Sequence, residues 1–157
     1  MTVIKLTSGE LFINNPVAPT PECVAMIKEI ELKHGNVKYI VLSSLAIEHK
    51  GTVGIFSKYF PTADIYYQPG QYSFPFNLPI NFFLPFGRTV KEIPYQNKDA
   101  PWSADLDHEV LGPLKPPQVG GFGETGILTP SDNPILQSSF SFCSLFSSRN
   151  EYSFSDR

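Results

Sequence analysis

Residues 37–42 have the sequence Val-Lys-Tyr-Ile-Val-Leu, in which the last four side chains are continuously apolar. A short apolar run of this kind is typical of a strand that is covered on both faces of a sheet. A helix is predicted before it over residues 21–34, because Thr20 is a suitable N-cap and Pro21 suits the first helical position. Apolar residues recur at helical spacing through this stretch, and Gly35 is a suitable stop.

The segments on either side extend this alternation of strands and helices. Residues 3–6 and 11–13 predict a β-hairpin, and a second helix is predicted over residues 51–60, ended by Pro61. A short strand over residues 63–67 follows. Strand–helix–strand spacing predicts a parallel pair joined by a crossover, so the predicted fold class is α/β.

The next segment, residues 72–87, contains three prolines and no charged residue. Proline at this density excludes a long helix or a central strand and predicts an ordered hydrophobic loop. Two interpretations stay open: the aromatic side chains pack onto the core, or they form a pocket wall, a lid or a membrane-surface contact. The candidate contact residues are Phe74, Phe76, Phe82 and Phe83.

Farther along the chain, a strand is predicted over residues 88–93 and a short helix over residues 101–111. The charged string 105–109 then forms a solvated helix face, with His108 at the surface. Residues 137–157 contain eight serines and four phenylalanines without periodicity. We therefore predict a domain over residues 1–125 and a poorly ordered Ser/Phe-rich tail over residues 126–157.

The composition excludes several classes of protein. A net charge of −3 gives no general attraction to nucleic acid or to an anionic membrane. Cys23 and Cys143 are far apart, so they indicate neither a disulfide framework nor a thiolate zinc site. The sequence has no apolar run long enough for a transmembrane helix and no secretory signal pattern. The default expectation is an intracellular, cytoplasmic protein, and a plastid location would require a transit peptide upstream.

A family resemblance rests on several short stretches spread over residues 1–125. In these stretches the chain resembles the N-terminal part of the domain of unknown function 4336 family, within the metallo-β-lactamase fold superfamily. The resemblance implies a partial αβ/βα sandwich, mainly its N-terminal half, and a superfamily of mostly hydrolases with one or two metal ions at the sheet edge. The stretches are Val3–Leu6, Pro16–Thr20, Tyr39–Leu42, Glu48–Lys50, Phe60–Ala63, Phe74–Phe83, Pro101–Trp102 and Phe122–Glu124.

The resemblance also identifies a candidate metal site. The superfamily's first metal motif is H-x-H-x-D-H, and its final acid–His pair matches Glu48 and His49. Ser44 and Ala46 then occupy the two leading histidine positions, and neither replaces a histidine ligand. A catalytic zinc site needs about three protein ligands and a water molecule. Zinc or iron is the metal implied by the resemblance, but this pair predicts an incomplete site without a resident cofactor.

The second half of the sandwich would supply the remaining ligands, but residues 126–157 contain no histidine. The expectation is a truncated or replaced C-terminus and no catalytic activity; an active chain would be a metal-dependent hydrolase. The G-x-G-x-x-G match over residues 121–126 is not a dinucleotide site, because Pro116 and Pro117 precede it.

Three hypotheses remain open. The first is a degenerate metallo-β-lactamase-like enzyme centred on Glu48 and His49. The second is a non-catalytic binding module that uses the loop over residues 72–87. The third is a fragment whose uncovered sheet face causes self-association.

Overall fold

A computed structural model describes residues 1–69, 80–84, 87–111, 124–128 and 138–139 of the chain. Its main element is a mixed sheet with the strand order β5-β4-β3-β2-β1, extended beside β1 by the two-residue β8. β2 to β5 are parallel, whereas β1 is antiparallel to β2 and to β8. The strands are β1 (Thr2–Lys5), β2 (Leu11–Asn14), β3 (Val37–Leu42), β4 (Asp64–Tyr67), β5 (Val90–Glu92), β6 (Asp107–Leu111), β7 (Glu124–Leu128) and β8 (Ser138–Ser139).

Two helices connect the central strands, as the α/β prediction requires. Helix α1 (Pro21–His34) joins β2 to β3, and helix α2 (Ile47–Ser57) joins β3 to β4. The predicted bounds of α1 are confirmed: Thr20 Oγ1 accepts a hydrogen bond from the Cys23 amide at 3.2 Å, and Gly35 ends the helix with φ +115°. Neither helix is long and apolar enough to cross a membrane, within the part of the chain that the structure describes.

Helix α2 begins four residues before the predicted start at residue 51. Its N-cap is Ala46, whose side chain makes no capping hydrogen bond, so the usual sequence signal for a helix start is missing. The helix also ends at Ser57 instead of residue 60. Directly after Ser57 the chain forms a tighter turn, in which the Lys58 amide donates to the Ile55 carbonyl three residues back.

The central strand β3 is buried on both faces, which confirms the prediction from its apolar run. Ile40 and Leu42 point to the face that carries both helices, and Tyr39 and Val41 point to the opposite face. The helix-side core is built from three sources, namely the sheet, the two helices and the Ile80 segment. Its buried members include Val3, Leu11, Ile13, Ile27, Ile40, Leu42, Val53, Phe56, Phe60, Ile65 and Ile80.

An aromatic cluster covers the helix-free face of the sheet. Trp102 is 1% exposed, and its ring centroid lies 5.2 Å from that of Phe12, 5.6 Å from Tyr39 and 4.8 Å from Tyr66, all edge to face. Edge-to-face aromatic pairs add stabilisation beyond the area that they bury. At Phe12, Tyr39 and Tyr66 the helix-free face is covered by Trp102. Self-association through an uncovered sheet face stays a prediction.

The prediction of a helix over residues 101–111 is wrong. Residues 101–105 form turns, and β6 then pairs antiparallel with β7. Leu106 and His108 are buried while Asp107 and Glu109 are exposed, which is the two-residue period of a strand. The alternation spans only a few residues, and the strand is formed by its pairing with β7.

His108 is consequently a buried residue, which corrects its predicted surface position. Its Nε2 lies 2.6 Å from the Pro94 carbonyl oxygen, and its ring packs against Trp102 with centroids 5.8 Å apart. A histidine that appeared to lie on a charged helix face therefore belongs to the aromatic core of the helix-free face.

Parts of two predicted segments lie outside the described residues. In the hydrophobic loop, residues 72–79 and 85–86 are outside the described part, and they include Phe74 and Phe76. In the tail, residues 129–137 and 140–157 are outside it. The boundary at residue 125 stays a prediction.

The described part of the hydrophobic loop docks onto α2. Residues Ile80–Phe83 form a short 3-10 helix, in which Phe83 is half-buried and Phe82 is 72% exposed. The backbone of Phe83 lies so close to Gly54 that a Cβ atom added there would be 1.6 Å from the Phe83 carbonyl oxygen. Glycine at position 54 is therefore required for this contact.

Gly54→Ala should displace the 80–84 segment from α2 and lower the free energy of unfolding by about 1–3 kcal/mol, because a Cβ atom overpacks the contact. Gly51→Ala is the matched control in the same helix: nothing lies within 4 Å of its added Cβ atom. That change should stabilise the protein by about 0.5–1 kcal/mol through helix propensity. Urea unfolding measures both, and equal effects of the two substitutions would contradict the close contact.

Candidate functional site

A polar cleft lies at the carboxyl ends of the parallel strands β2 and β3. It has a volume of about 340 Å³ and continues onto the first turn of α2. Six of the seven described residues that line it have polar side chains: Asn14, Asn15, Ser43, Ser44, Glu48 and His49, with Ala46 as the seventh. In open α/β sheets, ligands bind outside the carboxyl ends of the strands, so this cleft is the candidate functional site.

Asn15 fixes the floor of the cleft by joining the ends of β2 and β3. Its backbone is left-handed with φ +48°, a conformation that asparagine tolerates better than most residues. Its amide donates to the Val41 carbonyl at 2.8 Å, and its Oδ1 accepts a hydrogen bond from the Ser43 amide at 2.9 Å. The side chain thereby satisfies the first backbone amide beyond β3.

The start of α2 is fixed by a serine two residues before the N-cap. Ser44 Oγ accepts a hydrogen bond from the Ala46 amide at 3.1 Å, and the helix then places Glu48 and His49 in its first turn. A carboxylate in the first turn is stabilised by the helix dipole. The neighbouring pair predicted from the sequence therefore lines the same cleft.

His49 is oriented by the backbone of the loop after β2. Its Nδ1 lies 3.0 Å from the Pro16 carbonyl oxygen, and because a carbonyl only accepts hydrogen bonds, Nδ1 carries the proton. In the neutral ring, Nε2 is then a hydrogen-bond acceptor. Metal-binding histidines use the same arrangement, with the other ring nitrogen donating to a carbonyl or a carboxylate.

The Asn14 carboxamide contains an unsatisfied acceptor. Asn14 is the last residue of β2, and its Oδ1 is buried without a hydrogen-bond partner among the described residues. Leaving a buried polar atom without a partner costs about 1–3 kcal/mol. Asn14 and Asn15 were not identified as site residues from the sequence.

The cleft does not contain the ligand set of a hydrolytic metal centre. Among the described residues, no group of three or more His, Cys, Asp or Glu side chains is placed to hold a metal ion. Glu48 and His49 supply two ligands, whereas a catalytic zinc site uses three protein ligands. Metal binding by this pair stays a prediction.

Lys50 is a buried charged residue that the sequence analysis missed. It is 0% exposed on the first turn of α2, its Nζ lies 5.6 Å from the centroid of the Phe83 ring, and burial lowers the pKa of Lys50 to about 8. With the helix starting at Ile47, Lys50 lies on the same face as the buried Val53 and Ser57. The predicted start at residue 51 had hidden that spacing.

The comparisons with known proteins identify the family of the chain. The family described as "Domain of unknown function (DUF4336)" matches residues 1–137, a range that includes the cleft. The chain belongs to the DUF4336 family. This confirms the family part of the sequence-based resemblance. No curated protein and no solved structure matched the chain.

Lys50 should make stability depend on pH in the alkaline range. Burial lowers the pKa of Lys50 from its ordinary value of 10.5 to about 8, so between these values the unfolded chain binds more protons than the folded one. The free energy of unfolding should therefore rise with pH across this window, by roughly 1–3 kcal/mol from this group. Chemical unfolding of the wild type and of Lys50→Met, repeated at several pH values, measures the effect.

The comparison between the two proteins isolates Lys50. Burial raises the pKa of Cys23 and the pKa of Tyr39, and both groups contribute to the pH dependence of the wild type and of the variant alike. The wild type should gain stability relative to Lys50→Met as the pH rises. Parallel curves for the two proteins would contradict this prediction.

Proposed function

We propose that this DUF4336 chain is a metallo-β-lactamase-like domain that acts as a binding domain and not as a hydrolase. The proposal combines the resemblance of the sequence to that superfamily with the mixed α/β fold and the cleft at the carboxyl ends of β2 and β3. In this proposal the cleft has the position of the superfamily's metal centre without its full ligand set.

The observation that carries the proposal is the chemistry of the cleft. His49 has an acceptor nitrogen in its neutral ring and Glu48 has a carboxylate, but Ser44 and Ala46 stand where the superfamily motif has histidines. Ser44 Oγ already accepts the Ala46 amide, which uses it to start a helix. Zinc or iron, the metals implied by the resemblance, would find two protein ligands among the described residues of the cleft, and these residues do not fit a hydrolytic centre.

A lining of neutral amides, hydroxyl groups, one carboxylate and one imidazole is suited to binding a small polar molecule. Most small-molecule pockets are mainly apolar with a few polar groups. This cleft has the opposite balance, since Ala46 provides its one apolar side chain among the described lining residues. Recognition in such a site depends on hydrogen bonds.

Metal analysis tests this proposal. Protein purified without chelators or a His tag should contain no stoichiometric zinc, iron or manganese by mass spectrometry. Weak Zn²⁺ binding, if titrated in, should be lost in His49→Ala and retained in His34→Ala, because His34 lies at the end of α1 and away from the cleft. Stoichiometric metal together with hydrolytic activity would refute the proposal, and metal retained by His49→Ala would refute the assignment of the ligand.

A second candidate function is a hydrophobic contact through the loop over residues 72–87. Phe82 supports it, because this side chain is 72% exposed on a segment that Gly54 and Phe83 hold against α2. Phe82→Ser should then weaken binding to neutral phosphatidylcholine vesicles in a flotation assay. Leu32→Ser is the control, since Leu32 is an exposed apolar residue on α1 (89%). Equal binding by both variants would exclude a specific role for Phe82.

A further inference from the structure

The electrostatics of the cleft favour a cationic ligand. Glu48 is its one carboxylate, and no lysine or arginine belongs to its lining among the described residues. The partial positive charge of the α2 N-terminus is offset by Glu48 in the first turn. An anionic ligand would meet the Glu48 carboxylate without a compensating lysine or arginine among the described lining residues.

The hydrogen-bonding groups of the cleft favour a ligand that donates. His49 Nε2 is an acceptor because Nδ1 donates to the Pro16 carbonyl, and the Glu48 carboxylate accepts only. The Asn14 Oδ1 is a third acceptor and has no donor among the described residues. This atom is buried, so it reaches a ligand in the cleft only if the Asn14 carboxamide turns about its broad terminal torsion.

We propose that the cleft recognises the primary ammonium group of a small amine, an inference that rests on the proposed binding function. An ammonium group has three N–H donors and no acceptor, which matches the Glu48 and His49 acceptors, with Asn14 Oδ1 as a third once its carboxamide turns toward the cleft. Its bond to the Glu48 carboxylate is charge-assisted, and such bonds are about twice as strong as neutral ones.

The dimensions of the cleft indicate a small, freely diffusing molecule. A volume of about 340 Å³ corresponds to about eleven water molecules at about 30 Å³ each. The rest of such a molecule should be polar, because Asn15, Ser43 and Ser44 form the remaining wall. A short amino alcohol has both properties.

Three probes of nearly the same size separate the possible ligand classes. Ethanolamine, ethylene glycol and glycolate are titrated separately into the ¹⁵N-labelled full chain at neutral pH and followed by NMR. Ethanolamine should shift the amide signals of Ser43, Ser44 and Ala46–His49 with saturation, whereas ethylene glycol and glycolate should not. Equal shifts from ethylene glycol, preference for glycolate, or no shift with ethanolamine would each overturn the proposal.

A matched pair of variants tests the charge. Glu48→Gln should weaken ethanolamine binding about tenfold, since a charge-assisted hydrogen bond is replaced by a neutral one. Glu22→Gln removes the corresponding first-turn carboxylate of α1 and should leave binding unchanged. Unchanged binding in Glu48→Gln would overturn the ammonium assignment. Failure of the proposed binding function would give a different result, namely stoichiometric metal and hydrolytic activity in the purified protein.

Discussion

The fold depends on one constraint, which is that β3 has apolar side chains on both faces and must be covered on both. Ile40 and Leu42 are covered by the two helices, and Tyr39 and Val41 by the layer that contains Trp102. Burying such a strand removes apolar area from water on two sides and makes it the centre of the domain. The parallel pairing follows, because each neighbour of β3 on either side is reached through a helix that packs on the same face.

The same constraint determines where the polar site lies. Beyond Leu42 the chain leaves the apolar layers, and its backbone groups need partners. The Leu42 carbonyl accepts the Gln68 amide at 2.7 Å, and the Ser43 amide donates to Asn15. A cleft with a polar lining therefore forms at the point where the two hydrophobic layers end, held by hydrogen bonds to the strands beneath it.

The sequence predicted the elements whose local signals agree with their packing. The capped helix α1 and the strand β3 are of this kind. The start of α2 was missed because it depends on Ser44, which lies outside the usual capping position. Leu106 and His108 were predicted within a helix, and the pairing of β6 with the distant β7, which no local pattern shows, makes them part of a strand.

The candidate site was predictable in part for a related reason. Glu48 and His49 are adjacent in the sequence, so a motif could identify them together. Asn14 and Asn15 reach the same cleft only because β2 and β3 pair in parallel, and no local pattern contains that information. The burial of Lys50 likewise depends on where α2 starts and on the docked Phe83 segment.

The cover of the helix-free face has a consequence for the order of folding. The Thr7 amide donates to Asp105 Oδ1 at 2.8 Å across a separation of 98 residues, and Trp102 reaches β2 from the same distant segment. The hairpin and the strand–helix–strand units involve nearer neighbours, so they close with less loss of chain entropy and form faster. During synthesis, Phe12, Tyr39 and Tyr66 are therefore without their aromatic cover until Trp102 has left the ribosome. Apolar surface that is exposed in such an interval makes a growing chain prone to aggregate.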